Sequence, residues 1–335
     1  MITTQIINQP DSDAKIVNAA RVSMNKAIIP EAFDAKDARL LTYLAEHNHW
    51  TPFSHVRETF SPRVPFDLKY GETVLTNTLD DIPLNLRAGL VVDSELNMVR
   101  TSLYGWVCLL ENDCVAPELF TPIINVLCEK YPHSMAAFGF ESHPQDACWA
   151  EYDVSNENSR QPQFIDVTFR ENVPIYVARQ RFKHKVGFTE NEISRRYVSE
   201  TPEMFNPTIW RTKPEGSIKQ GSGGPHPESH NISNAVETFH QNAIDLYENL
   251  LAADICPEQA RGVLPQNMMT SYFVTGSLAD YARLCHLRLD GHAQVEIQQL
   301  AEQIDFGLAH HPSHDLIWNH LMGRETTNGQ TEEVA

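Results

Sequence analysis

An α+β fold is predicted for this 335-residue chain, and three observations predict it. Apolar residues recur at helical spacing along 35–48, 233–254, 278–288 and 292–304. Two short stretches, HVRETF (55–60) and FIDVTF (164–169), read instead as strands. Between those strands, 71–163 holds four of the six cysteines and helical patterns around 97–111 and 117–130, so it reads as a largely helical inserted segment. The whole, 1–335, is taken as one catalytic-sized domain carrying that insertion.

In chain order, AKDARLLTYLAEHN places Leu40, Leu41 and Leu44 on one stripe, with Asp34 positioned as N-cap. That helix is expected to stop near HNHWTP, because Pro52 disfavours helix at its predecessor. HVRETF follows as an alternating strand ending in Phe60. The polar stretch 151–163 reads as a loop, and VPIYVARQRFKHK as a helix opened by Pro174. TFSPRVPFDL (59–68) and TFRENVPIYV (168–177) share T-F-x3-V-P, a match open both to chance and to a segment inserted between two copies of one boundary. The Gly/Pro/Ser-rich run 211–232 is a loop. A long helix at 233–254 carries Val236, Phe239, Ala243, Tyr247 and Leu250, and Pro257 can open another in CPEQARGVL. Ser277 and Asp280 form a capping-box signal for 278–288. The last clear helix turns Val295, Ile297, Leu300 and Ile304 inward, and the tail 323–335 is expected to be disordered.

Charge narrows the function. The chain nets −18 with a pI near 5.2, which argues against general adhesion to nucleic acid. No apolar run reaches the roughly 18–20 residues of a membrane span, and the N-terminus lacks a secretory layout, so a cytoplasmic location is expected. The cysteines form no CxxC pair and read as free, mostly buried thiols. Against this acidic background, RQRFKHKVGFTENEISRRY (179–197) sets six cations against two carboxylates. Solubility does not require such an island; an anionic ligand does. Val186, Phe188 and Ile193 within it predict that one face meets the core.

Three further stretches carry polar chemistry. HNHWTPFSH offers His47, His49 and His55, whose spacing fits hydrogen bonding to a ligand or strand better than a zinc site. QARGVLPQN (259–267) is weak alone. LRLDGHAQVE (287–296) crowds Arg288, Asp290, His292, Gln294 and Glu296 between two apolar-striped helices, with His292 and Glu296 on one helix face. A structural polar junction is the plain alternative there. GxGxxG, P-loop and GxSxG signatures are missing.

Taken in order, AARVS (19–23), HNHWTPFSH, VPIYVARQRFKHK, ENEISRRY, QARGVLPQN and LRLDGHAQVEIQQLAEQI resemble the motifs of the flavin-dependent thymidylate synthases, the ThyX family. The matching family patterns are AARVS, HGHxTPFEH, APIFVARQWFRHR, NExSxRY, ARxVLPxN and LRxDxHAQxEIxxxA. The resemblance covers roughly 1–60 and 165–310. It implies a central, mostly antiparallel sheet flanked by helices and a homotetramer with sites at subunit junctions. It implies conversion of dUMP to dTMP, with methylene from methylenetetrahydrofolate, hydride from FADH2 and NADPH reducing the FAD. By position it implies that Lys183, His184 and Lys185 contact flavin, with His49, Thr51 and His292 on the flavin or folate side. Gln180, Glu192, Ser194, Arg196 and Arg261 fall where the family binds dUMP, with Glu192 also bordering the flavin. Arg288 and Ser194 are the implied catalytic positions, Arg288 favouring the ionised uracil because an opposite charge lowers a pKa. No metal, membrane or nucleic-acid partner is implied.

The sequence departs from the family at several points. KHK replaces RHR, which keeps charge but loses the planar fork of arginine. Eight residues separate Lys185 from Ser194 where seven are usual, Ser54 stands for a glutamate, and SLADYAR (277–283) replaces NARSxxN. These departures keep a second reading in play, a hydroxymethylase or other enzyme modifying C5 of a pyrimidine nucleotide. A non-enzymatic nucleic-acid binder is the alternative from another class.

Overall fold

The computed structural model describes residues 1–26, 33–60, 74–75, 82–83, 86, 89–93, 98–143, 161–198, 200–215 and 221–324. Most of the T-F-x3-V-P copy at 59–68, most of the 151–163 loop, Cys148 and nearly all of the tail expected to be disordered lie outside these residues.

Among the described residues the chain is α+β, with two antiparallel sheets. The larger has four strands: β1 (Thr3–Ile6), β5 (Asp166–Pro174), β7 (Met269–Ser277) and β6 (Thr189–Glu192), side by side in that order. β5 and β7 pair along all nine residues, from Asp166↔Ser277 to Pro174↔Met269. The smaller sheet sets β4 (Met98–Ser102) between β2 (Arg57–Phe60) and β3 (Val91–Asp93).

Every residue of β7 is buried, which happens when both faces of a strand are covered. Tyr272 and Val274 face a core built with α6 (Ile175–Arg181), α9 (Leu278–Arg288), α10 (Val295–Ala309) and α11 (Asp315–Leu321). Phe273, one residue out of phase, faces Ala19 and Val22 of α1 (Asp13–Val22). The other side of α1 presents Ile16 and Val17 to a second core. That core holds Leu41 and Leu44 of α2 (Ala35–Glu46), Trp106 and Leu110 of α3 (Leu103–Glu111), Leu127 of α4 (Pro117–Lys130) and Met135 of α5 (Pro132–Ala137). α1 is thus shared between the two cores.

Polar contacts tie the sheets together. His55 Nδ1 meets Thr275 Oγ1 at 2.8 Å. Arg57 reaches Asp166 at 3.1 Å, and Arg100 pairs with the same carboxylate. Burial alone would raise Asp166, but the two guanidinium groups outweigh it and hold the carboxyl below its ordinary value. His55 is wholly buried, and that burial, with Lys15 and Arg57 nearby, pushes its imidazole down to about 3.

Both expected caps form: Asp34 and Ser277 each accept from the first turn and close a capping box. Other expectations need correction. α2 ends because Asn48 takes φ 54°, a left-handed conformation asparagine tolerates; Pro52 instead opens a short 3-10 turn over Pro52–His55. β2 does not alternate, since Glu58, Thr59 and Phe60 are all buried and Tyr131 donates to Glu58. Residues 98–102 pair as β4 rather than opening a helix, so α3 begins at Leu103. α7 (Ser229–Ala252) starts four residues earlier than its apolar stripe. β1, β6, β7 and α11 had no sequence reading. The described cysteines are free; Cys114 and Cys285 are buried, whereas Cys256 is exposed.

Candidate active site

The opening cationic stretch does not continue as a helix. α6 stops at Arg181, and Lys183 and His184 close a tight turn onto Gln180 and Arg181. Gly187, at φ 82°, then redirects the chain into β6. A side chain there is excluded twice over, since a Cβ would lie 2.1–2.3 Å from the Asp280 carboxylate. The KHK triplet therefore projects from a turn, with Lys183 and Lys185 exposed and His184 half-buried.

Beneath the turn lies an ion pair that sequence reading missed. Arg181 Nε sits 3.1 Å from both Glu171 oxygens, and both side chains are wholly buried. The guanidinium lies 4.2 Å from the Phe188 ring centre, a cation–π distance. In the family pattern quoted above this position is tryptophan, so a buried charge stands where an apolar ring is usual. Val186, expected to help bury one face, is instead 77% exposed.

α9 delivers Arg288 from its last position to this turn. Arg288 Nε donates to His184 Nε2 at 2.9 Å, and its Nη2 reaches the Gln180 carbonyl at 3.4 Å. An arginine only donates, so Nε2 accepts and the histidine proton sits on Nδ1. Burial, then the Arg288, Arg181 and Arg283 charges, push His184 down to about 4. It is thus neutral at ordinary pH. The Gln180 side chain donates to Gln294 Oε1, Gln294 donates to Glu296 at 2.8 Å, and Glu296 pairs with Arg211 at 2.6 Å. Gln180, His184 and Arg288 are thereby joined within one chain, and Arg211, Gln294 and Glu296 extend the set.

A second group gathers at the sheet edge. Glu192 accepts from Thr270 at 2.6 Å; desolvation raises its carboxyl, against the pull of Thr270 and the Arg261 charge. Ser194 N donates to Ser23 O at 2.9 Å and Asn191 donates to Ala19 O at 3.2 Å, so AARVS and ENEIS are physically joined. Arg196 pairs with Glu258 at 2.6 Å, both largely exposed. Such a pair contributes under about 1 kcal/mol and is readily exchanged for a ligand anion.

The remaining positions stand apart. His49 packs its ring edge at 6.0 Å from Tyr43, next to Trp50 stacked on Tyr104, and makes no contact with the α6–α9 group among the described residues. Thr51 precedes the 3-10 turn. His292 is exposed and bonded to Asp290 at 2.9 Å. It lies before α10 begins, so it does not share a helix face with Glu296, which is buried toward Arg211. Gln294 and Glu296 carried a visible signal in HAQVE. Arg211 carried none, because its partner is 85 residues away.

The exposed cations suit a flavin with a diphosphate. Lys183 and Arg261 have no ion-pair partner among the described residues, and Lys185 only approaches Glu190 at 3.9 Å. Unneutralised cations beside a neutral histidine form a donor set that fits a polyanionic cofactor.

With that geometry established, known proteins give it a lineage. The family model described as thymidylate synthase complementing protein matches residues 5–68 and 143–309. A flavin-dependent thymidylate synthase of Aquifex aeolicus (strain VF5) is 27% identical over 315 residues, covering 88% of this chain and 93% of that one. One from Thermotoga neapolitana is 34% identical over 160 residues, 48% of this chain and 69% of its own. Among solved structures, a UMP/dUMP methylase, PolB, from Streptomyces cacaoi, bound with 5-Br dUMP, aligns over 96% of this chain and 95% of its own, with a TM-score of 0.45 and 17% identity. Both matched blocks contain the site, since Ala19–Ser23 fall in the first and Gln180–Glu296 in the second. The chain belongs to the thymidylate synthase complementing protein family.

Proposed function

We infer that the protein is a flavin-dependent thymidylate synthase that methylates dUMP at C5. The observation that carries this reading is the contact of Arg288 with His184 and Gln180, which builds one polar site from three family motif positions in a single chain. Arg288 offers a fixed positive charge beside the pyrimidine, stabilising the ionised ring and so activating C5. His184, neutral and accepting at Nε2, orients that guanidinium. Gln180, Glu192, Ser194, Arg196 and Arg261 bind the nucleotide, with Arg196 exchanging Glu258 for phosphate. Lys183 and Lys185 hold the FAD diphosphate, and His49, Thr51 and His292 line the flavin or folate side. Reduced FAD, when bound, supplies the hydride that completes the methyl group. Methylenetetrahydrofolate is the carbon donor and NADPH the reductant of the flavin.

His49 and Thr51 make no hydrogen bond or ring contact with the α6–α9 group among the described residues, and this fits a homotetramer in which another copy completes each site. Residues 71–163 are an inserted segment within one domain, and a cytoplasmic location fits the free cysteines. No described helix is long and apolar enough to cross a membrane. The reading is tested by incubating purified protein with FAD, dUMP, methylenetetrahydrofolate and NADPH and weighing the product. A nucleotide heavier by one methyl replacement supports it; a hydroxymethyl product supports the C5-modifying alternative, and unchanged dUMP refutes both.

A further inference from the structure

The Arg211–Glu296–Gln294–Gln180 chain has a direction, and it ends on the Gln180 side chain. Arg211 lies on the loop before α7, and its backbone is pinned. It bridges Pro225, with Thr212 N donating to Gly224 O at 2.9 Å and His226 N to Trp210 O at 2.7 Å. Gly223 makes this closure possible, since a Cβ there would lie 2.3 Å from Thr212 Oγ1 and 2.7 Å from Lys213 O. Ser222 accepts from Arg211 Nε at 2.8 Å. The guanidinium then meets buried Glu296, beside a cavity of about 790 Å³ that both residues line.

A carboxylate bound to a guanidinium has only acceptors. Gln294 must therefore turn its NH2 to Glu296, as the 2.8 Å contact shows, and this leaves its carbonyl for Gln180. Gln180 must in turn give its NH2 to Gln294. Each amide has one orientation only, fixed by the Arg211–Glu296 pair at the head of the relay. The Gln180 side-chain Oε1 is left with no hydrogen bond among the described residues, while the Gln180 backbone oxygen is held by Arg288.

We propose that Arg211 and Glu296 are positioning residues that lock the Gln180 side chain with its carbonyl oxygen presented to the bound nucleotide, so that Gln180 recognises a hydrogen-bond donor of dUMP. The donor is the sugar 3′-hydroxyl, since the ionised pyrimidine that Arg288 favours has lost its N3–H. This rests on the proposed function in one respect, that dUMP occupies the site beside Arg288. Without the relay an amide turns freely, and its NH2 faces a donor as readily as its carbonyl does.

The test is calorimetric binding to FAD-loaded protein of dUMP and 2′,3′-dideoxyuridine monophosphate. Wild type binds the dideoxy analogue about tenfold more weakly than dUMP, the loss of one hydrogen bond. Glu296→Gln, whose amide donates as well as accepts, shrinks that ratio to below about threefold. Arg211→Met, with folding checked by its thermal unfolding curve, does the same from a half-buried position, while Arg211→Lys retains the ratio. Equal wild-type affinity for both nucleotides, or an undiminished ratio in Glu296→Gln and Arg211→Met, overturns the proposal while dUMP binding still stands. Absence of dUMP binding to wild type overturns it together with the functional reading.

Discussion

Removing the carboxylate of Glu171 leaves Arg181 charged and buried without its partner, and this gives a demanding test of the turn that carries the KHK triplet. Both side chains are 0% exposed, and the guanidinium makes its 3.1 Å contacts only to Glu171, with Nη1 and Nη2 unpartnered among the described residues. Glu171→Ala therefore breaks a buried pair from one side, which costs about 3–5 kcal/mol. For a chain of this size that lowers Tm by roughly 4–7 °C. Replacing both partners, Glu171→Leu with Arg181→Met, removes the uncompensated charge and returns stability to within about 2 kcal/mol of wild type. Phe188, stacked on the guanidinium, transmits the change to the turn, so the single variant also loses FAD retention. The assay is denaturant and thermal unfolding at fixed protein concentration, paired with flavin absorbance after gel filtration. A double variant less stable than Glu171→Ala, or a single variant that melts with wild type, refutes the reasoning.

Other outcomes follow from the same coordinates. His55 and His184 sit at about 3 and about 4, below the ordinary 6.5 of the unfolded chain, so the unfolded state binds the extra protons and stability falls as pH drops from about 6.5 toward 4. The slope is about 1.4 kcal/mol per pH unit for each histidine, and in a pH series of urea unfolding His55→Gln removes one such proton; an unchanged slope contradicts the assignment. Gly187→Ala places a Cβ against Asp280, whose carboxylate is held by Ser277 at 2.7 Å, and costs about 2–4 kcal/mol with loss of FAD; a melting curve within 1–2 °C of wild type at such a residue is incompatible with that contact. Iodoacetamide labels exposed Cys256 and spares buried Cys285, whose thiol burial pushes up, without loss of dTMP formation; inactivation proportional to Cys256 labelling in peptide mass maps contradicts a cysteine-independent reaction.

What the sequence made legible was local. Asp34 and the Ser277–Asp280 pair declare their helices because a cap and its first turn lie within four residues. The α9–α10 helices declare themselves by apolar spacing. The candidate-site residues were placed by resemblance to ordered motifs, and the contact of His184 with Arg288, 104 residues on, joins two of those motifs directly. β7 was unread because burial on both faces erases alternation. Asn48 ended α2 through a single left-handed φ that no composition rule singles out. Arg181 and Arg211 look like surface cations in the sequence. Their partners, Glu171 on β5 and Glu296 on α10, come beside them only through the fold.

The central claim is that Arg288, presented by α9 to the α6 turn, makes this polar cluster a thymidylate-forming site. Its most direct measurement is the rate of dTMP formation by wild type and Arg288→Ala, each loaded with FAD and supplied with dUMP, methylenetetrahydrofolate and NADPH. A wild type that forms dTMP and a variant slowed about 100-fold or more, still folded and still yellow, is the expected result. A variant that forms dTMP at the wild-type rate contradicts the account.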